Sequence, residues 1–145
     1  VDVRDIALPA DDYGQSLKER FGGYRDIVLR SDGLVIVSPE YNHGYSGTLK
    51  GVLDLLFDEY KHRAAGLVGV SIGPWGGVRG IENLVPVVRE LGLVINNTDL
   101  QFPNVGKIFD EKGNLADEAY YKRIDGFLDE LLFLARALKW GRENL

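Results

Sequence analysis

Cysteine and methionine are both absent from this 145-residue sequence, and histidine occurs only twice, at His43 and His62. A chain without cysteine can form no disulfide bond, no thiolate zinc site and no cysteine nucleophile. The two histidines do not stand at the spacing of metal ligands, so we expect no metal site. No apolar run approaches the roughly 20 residues that a membrane-spanning helix needs, and no secretory signal pattern is present. We therefore expect a cytoplasmic location.

Positively charged residues are also fewer than negatively charged ones. Lys and Arg number 17 against 22 Asp and Glu, which gives a formal net charge of −5. Nucleic-acid-binding domains normally carry a basic face, so this balance argues against a nucleic-acid partner. Hydrophobic residues make up 45% of the chain and charged residues 27%, as in ordinary globular proteins. This length and composition predict a single domain spanning residues 1–145.

Short apolar runs mark the predicted strands. The runs at residues 34–37, 66–72 and 93–95 predict buried strands, and we expect the first to be covered on both faces. Alternating apolar and polar residues at 1–6 predict a half-covered strand at a sheet edge. The glycines of the second strand, Gly66 and Gly69, indicate close approach of a helix or ligand.

Helical periodicity fills the segments between these runs. The first expected helix has an apolar face formed by Leu17, Phe21, Tyr24 and Val28. The second runs from about 46 to 60, and the third covers 81–92 with a bend or a late start at Pro86. The last runs from about 117 to 139. Residues 98–118 are expected to be mostly irregular. Alternation of strands and helices predicts an α/β fold with a parallel sheet and helices on both faces.

Two unusual loops follow the first two buried strands. Residues 39–45, PEYNHGY, and residues 73–79, GPWGGVR, each lie between a strand and a helix. Right-handed crossovers place both loops at the carboxyl edge of the sheet, where open α/β proteins bind their ligands. The first loop offers a carboxylate, a carboxamide, an imidazole and two phenols. The second offers glycines that let backbone amides approach a ligand. We therefore expect one shared binding site.

The run PEYNHGYSGTLKG at residues 39–51 resembles the motif of the NADPH-dependent FMN reductase family, the flavodoxin-like flavoenzymes that include quinone and azo-dye reductases. One departure is Gly47, where many members carry proline before the helix, and this weakens helix initiation slightly. In that family a glycine-pair loop ending in arginine borders the flavin ring, and Gly76, Gly77 and Arg79 match it. The resemblance is strongest over residues 34–55 and weaker over 66–92.

The resemblance implies a flavodoxin-like three-layer sandwich, bound FMN, NAD(P)H as hydride donor and a homodimer or homotetramer. Hydride would pass through the flavin to a small-molecule quinone, azo or flavin acceptor. The implied cofactor-binding residues are Pro39, Glu40, Tyr41, Asn42, His43, Gly73, Trp75, Gly76, Gly77 and Arg79. Trp75 is an addition to the family pattern, which either covers the flavin or meets a neighbouring subunit. The cofactor performs the chemistry, so no catalytic triad or general base is expected.

The family also begins with a strand, a phosphate-gripping loop and a helix, and this sequence has no match to them. In strand order 2-1-3-4-5 the missing strand would lie beside residues 34–37. Three explanations remain open: the chain is part of a longer protein, residues 1–6 pair directly with 34–37, or another chain fills the gap. We favour the first, and we expect FMN to bind the 145-residue chain more weakly than an amino-terminally extended form. An alternative function is a non-catalytic interaction module that has lost flavin binding.

Overall fold

The computed structural model describes residues 1–6 and 22–145, so Leu17 and Phe21 of the first predicted helix lie outside the described residues. The elements in chain order are α1 Gly22–Arg30, β1 Gly33–Pro39, α2 Gly47–Leu53, β2 Ala64–Val70, α3 Val78–Glu90, β3 Val94–Ile95, β4 Leu100–Phe102, α4 Val105–Ile108 and α5 Ala119–Asn144. Two 3-10 turns, Val3–Asp5 and Asp58–Tyr60, complete them.

The strands form one parallel sheet, which confirms the α/β architecture. β1 pairs with β2 over seven residues, from Gly33 opposite Ala64 to Pro39 opposite Val70. Both β3 and β4 pair with the other side of β2, one near its start and one near its end. They therefore act as one interrupted strand, and β2 is the central strand of the sheet.

The larger hydrophobic core lies between one sheet face and helices α2 and α3. Ser46 caps α2 by accepting a hydrogen bond from the backbone N–H of Leu49 at 3.2 Å. This cap directs the apolar stripe of α2 onto the sheet, where Leu53 is 2% exposed. Ile81, Leu84 and Val88 of α3 are fully buried in the same cluster.

Helix α5 covers the opposite face of the sheet. Phe127, Leu131 and Ala135 are its buried residues. A side chain at Gly66 of β2 would collide with the Phe127 ring, because α5 approaches the strand closely there. Glycine is therefore required at this position. The sequence prediction of a close approach at the β2 glycines is therefore confirmed.

Several local predictions were wrong. Residues 1–6 form a 3-10 turn packed near α2 and not a strand, because Asp2 caps the turn by accepting from the N–H of Arg4. β1 is buried on one face only, and Val35 and Val37 on its other face are exposed. Among the described residues, β1 hydrogen-bonds with β2 alone, so its outer edge is unpaired.

The helix and loop boundaries also differ from expectation. α2 ends at Leu53, and a 3-10 turn then carries the chain to Tyr60. α3 begins at Val78 and runs through Pro86, so the late start, one of the two alternatives expected at Pro86, does not occur. The other alternative, a bend at Pro86, stays a prediction. Residues 98–118 contain β4 and α4, which are too short to produce a periodic pattern in the sequence. Among the described helices, none is long and apolar enough to span a membrane.

Candidate functional site

The parallel pairing of β1 and β2 brings the two unusual loops to one edge of the sheet. Pro39, the last residue of β1, lies opposite Val70, the last residue of β2. The next residue, Glu40, continues the ladder by donating its backbone N–H to the Val70 carbonyl at 3.2 Å. The loops therefore leave the sheet side by side, as the sequence predicted.

The first loop is a tight turn closed by two backbone hydrogen bonds. Tyr41 N–H donates to the Gly44 carbonyl at 2.8 Å, and Gly44 N–H donates to the Tyr41 carbonyl at 2.9 Å. The two residues between them have positive φ angles, 49° at Asn42 and 68° at His43. Asn tolerates this left-handed conformation better than most residues, which explains its place in the turn. The turn presents the Tyr41, Asn42 and His43 side chains at the surface.

The second loop lies flat against the sheet. Gly77 has φ of 79°, and a Cβ added there would stand 2.7 Å from the backbone nitrogen of Val70. Gly76 is also buried, with φ of 60°, and a Cβ added there would stand 2.6 Å from the Cβ of Gln101. The Gly73 carbonyl accepts from the Asn104 N–H at 2.9 Å, which ties the loop to the end of β4. The glycine pair thus places the start of α3 directly over the end of β2.

Glu40 and Arg79 lock the two loops together. The backbone N–H of Arg79, in the first turn of α3, donates to Glu40 Oε2 at 3.2 Å. The guanidinium of Arg79 lies 3.7 Å from Glu40 Oε1. Gly77, the N-cap residue of α3, has no side chain to cap the helix, so the carboxylate of the other loop caps it instead. The Glu40 side chain is only 11% exposed, so this contact is sheltered from water.

His43 completes the contact from the tip of the turn. Its Nε2 atom lies 3.1 Å from Arg79 Nη1. A guanidinium has only donors, so Nε2 accepts this bond and the imidazole proton sits on Nδ1. The amide of Asn83, one helical turn after Arg79, donates to the His43 carbonyl at 2.7 Å and to the Arg79 carbonyl at 2.9 Å. These contacts hold the tip of the first loop against the first turns of α3.

The exposed ring of Trp75 lies beside the Arg79 guanidinium. The guanidinium lies 5.3 Å from the centre of the Trp75 ring, within cation–π range. Trp75 is 61% exposed and Tyr41 is 62% exposed. A partly exposed cation beside an exposed aromatic ring suits a flat, electron-rich ligand that carries oxygen acceptors.

Comparison with known proteins identifies the family of the chain. A family model described as NADPH-dependent FMN reductase matches residues 1–106, which is more than half of the chain. The chain belongs to the NADPH-dependent FMN reductase family. It is therefore an FMN-dependent NAD(P)H oxidoreductase, and its cofactors are FMN and NAD(P)H. Family membership favours this enzyme activity over the non-catalytic interaction module.

Individual relatives have low sequence identity to this chain but align with most of it. A 2-hydroxy-1,4-benzoquinone reductase from Burkholderia sp. is 27% identical over 136 residues, covering 90% of this chain and 74% of the relative. An NAD(P)H-dependent FMN reductase from Saccharomyces cerevisiae is 35% identical over 124 residues, covering 74% of this chain and 62% of the relative. The solved structure of a flavoenzyme NAD(P)H:(acceptor) oxidoreductase from Paracoccus denitrificans matches with a TM-score of 0.78 at 22% identity, covering 93% of this chain and 78% of the other. That match shows the flavodoxin-like fold.

The groups of the two loops suit the flavin ring of this reductase family's cofactor. The ring carries carbonyl oxygens and ring nitrogens that need hydrogen-bond donors, and the loops offer the Asn42 amide and the Arg79 guanidinium at the surface. The guanidinium is also a cation that favours negative charge on a bound ring. The other charged side chain, Glu40, is already engaged by α3 and so presents no free carboxylate to the ring.

Sequence reasoning found most of this arrangement but missed two residues. Asn83 was not singled out, although its position four residues after Arg79 places it on the same helix face. Gly80 was also missed, and a Cβ there would stand 3.1 Å from the Gly44 carbonyl. It lets α3 pack against the first turn. Neither residue belongs to a loop motif, so only the helix placement could have revealed them.

Proposed function

We propose that the two loops form the FMN ring site and that the reductase serves quinone, azo or flavin acceptors. The residues proposed to line the cofactor site are those predicted from the sequence: Pro39, Glu40, Tyr41, Asn42, His43, Gly73, Trp75, Gly76, Gly77 and Arg79. Among them, Glu40 acts by holding Arg79 and the start of α3. Bound FMN supplies the hydride-accepting and hydride-donating chemistry. The chain's own residues bind and orient the ring.

The observation that carries this proposal is the connection of both loops through Arg79. Its backbone and guanidinium contact Glu40, and its guanidinium contacts His43 and Trp75. A charge held from several sides keeps its position without a ligand, so little reorganisation is needed on binding. We assign Arg79 the role of holding the flavin ring and stabilising negative charge on it, and Asn42 the role of hydrogen-bonding its polar edge.

The acceptor class is supported by the relatives and by the open site. Similar proteins are named as quinone reductases, as an FMN-dependent NADPH-azoreductase and as FMN reductases. The two loops of the site each expose an aromatic ring, Tyr41 and Trp75. Flat aromatic acceptors of these three kinds can stack in such a place.

We further propose that the chain forms one flavodoxin-like domain, assembles as a homo-oligomer and works in the cytoplasm. These proposals come from the sequence resemblance and composition. The parallel sheet with helices on both faces supports the flavodoxin-like domain.

Purified protein tests the function directly. The protein, supplied with FMN, should oxidise NAD(P)H when benzoquinone, an azo dye or free flavin is present. Each rate should fall in Arg79→Gln, because that change removes the cation while keeping a polar side chain. Arg89→Gln, an exposed arginine on the same helix, serves as the control and should keep wild-type rates. Absence of NAD(P)H oxidation with all three acceptors would contradict the proposed acceptor class.

A further inference from the structure

The turn at residues 41–44 holds two residues other than glycine in a left-handed backbone conformation. Asn42 and His43 have φ angles of 49° and 68°. Positive φ at both central residues is the pattern of a type I′ turn, in which glycine is the usual second central residue. A histidine in that position brings its Cβ atom close to the following carbonyl, which a glycine avoids. Such a conformation persists where surrounding contacts favour it.

The side chain of Asn83 supplies such a contact from α3. Its Nδ2 atom donates to the His43 carbonyl at 2.7 Å and to the Arg79 carbonyl at 2.9 Å. An amide nitrogen carries two hydrogens, so one side chain can bond both carbonyls at once. Within the described part of the chain, no other side chain hydrogen-bonds to the backbone of residues 41–44.

The peptide unit between His43 and Gly44 is thereby held at both of its polar ends. Its N–H group belongs to Gly44 and donates to the Tyr41 carbonyl at 2.9 Å, inside the turn. Its carbonyl belongs to His43 and accepts from Asn83, outside the turn. Because a peptide unit is planar, fixing its orientation also fixes the ψ angle of His43. The bond from Asn83 therefore acts on the residue whose conformation is least favourable.

The first turns of α3 present a surface that receives this turn. Arg79, Gly80 and Asn83 lie on one side of the helix, because their spacing returns Asn83 to the side of Arg79. A Cβ atom added at Gly80 would stand 3.1 Å from the Gly44 carbonyl oxygen. The missing side chain thus lets the turn come close enough for the Asn83 amide to reach it. The Arg79 guanidinium meets the His43 ring from the same helix, with 3.1 Å between Nη1 and Nε2.

We propose that Asn83 is a positioning residue that holds the turn at residues 41–44 in the conformation in which it meets FMN. With the peptide unit after His43 fixed, the imidazole stays beside Arg79 and the Asn42 side chain stays at the edge of the site. Asn83 uses both hydrogens of its amide on the two carbonyls, so it acts through the turn and not on the flavin. This inference rests on the flavin site of the proposed function.

Two substitutions of Asn83 separate its two hydrogen bonds. Asn83→Ala removes both, whereas Asn83→Ser keeps the bond to the Arg79 carbonyl, because a serine hydroxyl on a helix reaches the carbonyl four residues before it. We expect both variants to bind FMN about 3- to 10-fold more weakly than the wild type, the value of a neutral hydrogen bond. Asn97→Ala, exposed and outside both loops, is the control for flavin titration and should bind like the wild type. Wild-type affinity in Asn83→Ser would overturn the role of the bond to His43.

A second background tests whether Asn83 acts through His43. His43→Gly removes the strain of positive φ, so the turn then depends less on outside contacts. Asn83→Ala should therefore weaken FMN binding less in the His43→Gly background than in the wild type, as coupled residues do in a double-mutant cycle. An equal loss of affinity in both backgrounds would contradict this route.

Hydrogen exchange measures the turn in the absence of flavin. The Gly44 N–H should exchange about 3- to 10-fold faster in flavin-free Asn83→Ala than in the wild type, because the turn opens more often. The Leu67 N–H in the central strand is the internal control and should exchange at the wild-type rate. Unchanged exchange at Gly44 would overturn the inference. Faster exchange at Gly44 with unchanged FMN affinity would instead contradict the proposed flavin site.

Discussion

At the scale of single residues, Arg79 is the position that connects the two loops. It receives contacts from Glu40 and His43 of the other loop and from Trp75 of its own. Glu40 also caps α3, so its loss would disturb the helix as well as the cation. Within the described residues, the hydrogen bond of the His43 ring goes to the guanidinium, so His43 offers the cleaner way to change Arg79 without changing the fold.

Two substitutions of His43 should have opposite results. The Gln side chain places an oxygen near the position of Nε2, so His43→Gln should keep the bond to Arg79. The Asn side chain is too short to reach, so His43→Asn should weaken FMN binding about tenfold, the value of a hydrogen bond to a charged group. FMN titration monitored by flavin fluorescence measures both. Equal affinities for the two variants would mean that the imidazole does not position Arg79.

Residue-scale chemistry could be predicted where it lies in a contiguous motif. The residues of PEYN and of GGVR were read correctly as neighbours across the sheet edge. The role of each side chain could not be predicted. Glu40 looks like a cofactor-binding residue in the sequence, yet its carboxylate caps α3. Arg63 was missed as well, because a lone arginine before a strand carries no pattern.

At the scale of elements, α2 is held to the sheet mainly by its buried apolar stripe. Leu53 is 2% exposed, which confirms the predicted face of this helix. Leu53→Ala should reduce the free energy of unfolding by about 2–5 kcal/mol, through lost burial and a residual cavity. Urea denaturation measures the change, with Leu145→Ala at the exposed chain end as a neutral control. A loss below about 0.5 kcal/mol would show that the stripe does not anchor the helix.

Arg63 connects the ends of three elements. It is 8% exposed and donates to the carbonyls of Ser31 at 2.8 Å, Leu29 at 3.1 Å and Glu59. The Leu29 and Ser31 carbonyls lie at the carboxyl end of α1, and the Glu59 carbonyl lies in the 3-10 turn before β2. The guanidinium therefore binds carbonyl acceptors that secondary structure leaves without a donor.

Replacement of Arg63 should therefore be costly. Arg63→Met keeps the length of the side chain but leaves buried carbonyls without a donor, so we expect a loss of at least about 1–3 kcal/mol in stability. Arg89→Met, at an exposed position, should change stability by less than about 0.5 kcal/mol. Urea denaturation of both variants makes the comparison, and equal stabilities would contradict the structural role of Arg63.

Element prediction succeeded where apolar periodicity is long and failed where contacts decide the structure. α3 and α5 were predicted from their stripes, although α5 extends to Asn144. β3 and β4 are so short that only pairing with β2 defines them as strands. Residues 1–6 alternate like a strand, but the Asp2 cap and packing near α2 select a 3-10 turn.

At the scale of the whole molecule, one geometric fact connects the fold to the proposed site: the parallel register of β1 and β2 sets the two loops that we propose bind the flavin side by side. The sequence predicted this convergence because parallel strands with right-handed crossovers leave little freedom. It also indicated a missing neighbour beside residues 34–37, and the outer edge of β1 is unpaired among the described residues. It could not predict that Phe133 and Trp140 of α5 are exposed, since exposure depends on which elements are present to cover a surface.

The most direct test of the account is the affinity for FMN when one group from each loop is removed. Asn42→Gly deletes the amide at a residue with φ of 49°, where glycine fits without strain. It should weaken FMN binding about 3- to 10-fold, the value of a neutral hydrogen bond, and Arg79→Gln should weaken it more. His62→Gly, also at positive φ but before β2 at the opposite edge of the sheet, is the control and should bind like the wild type. Unchanged affinity in both loop variants, with the fold intact by thermal melting, would contradict the assignment of these two loops as the flavin site.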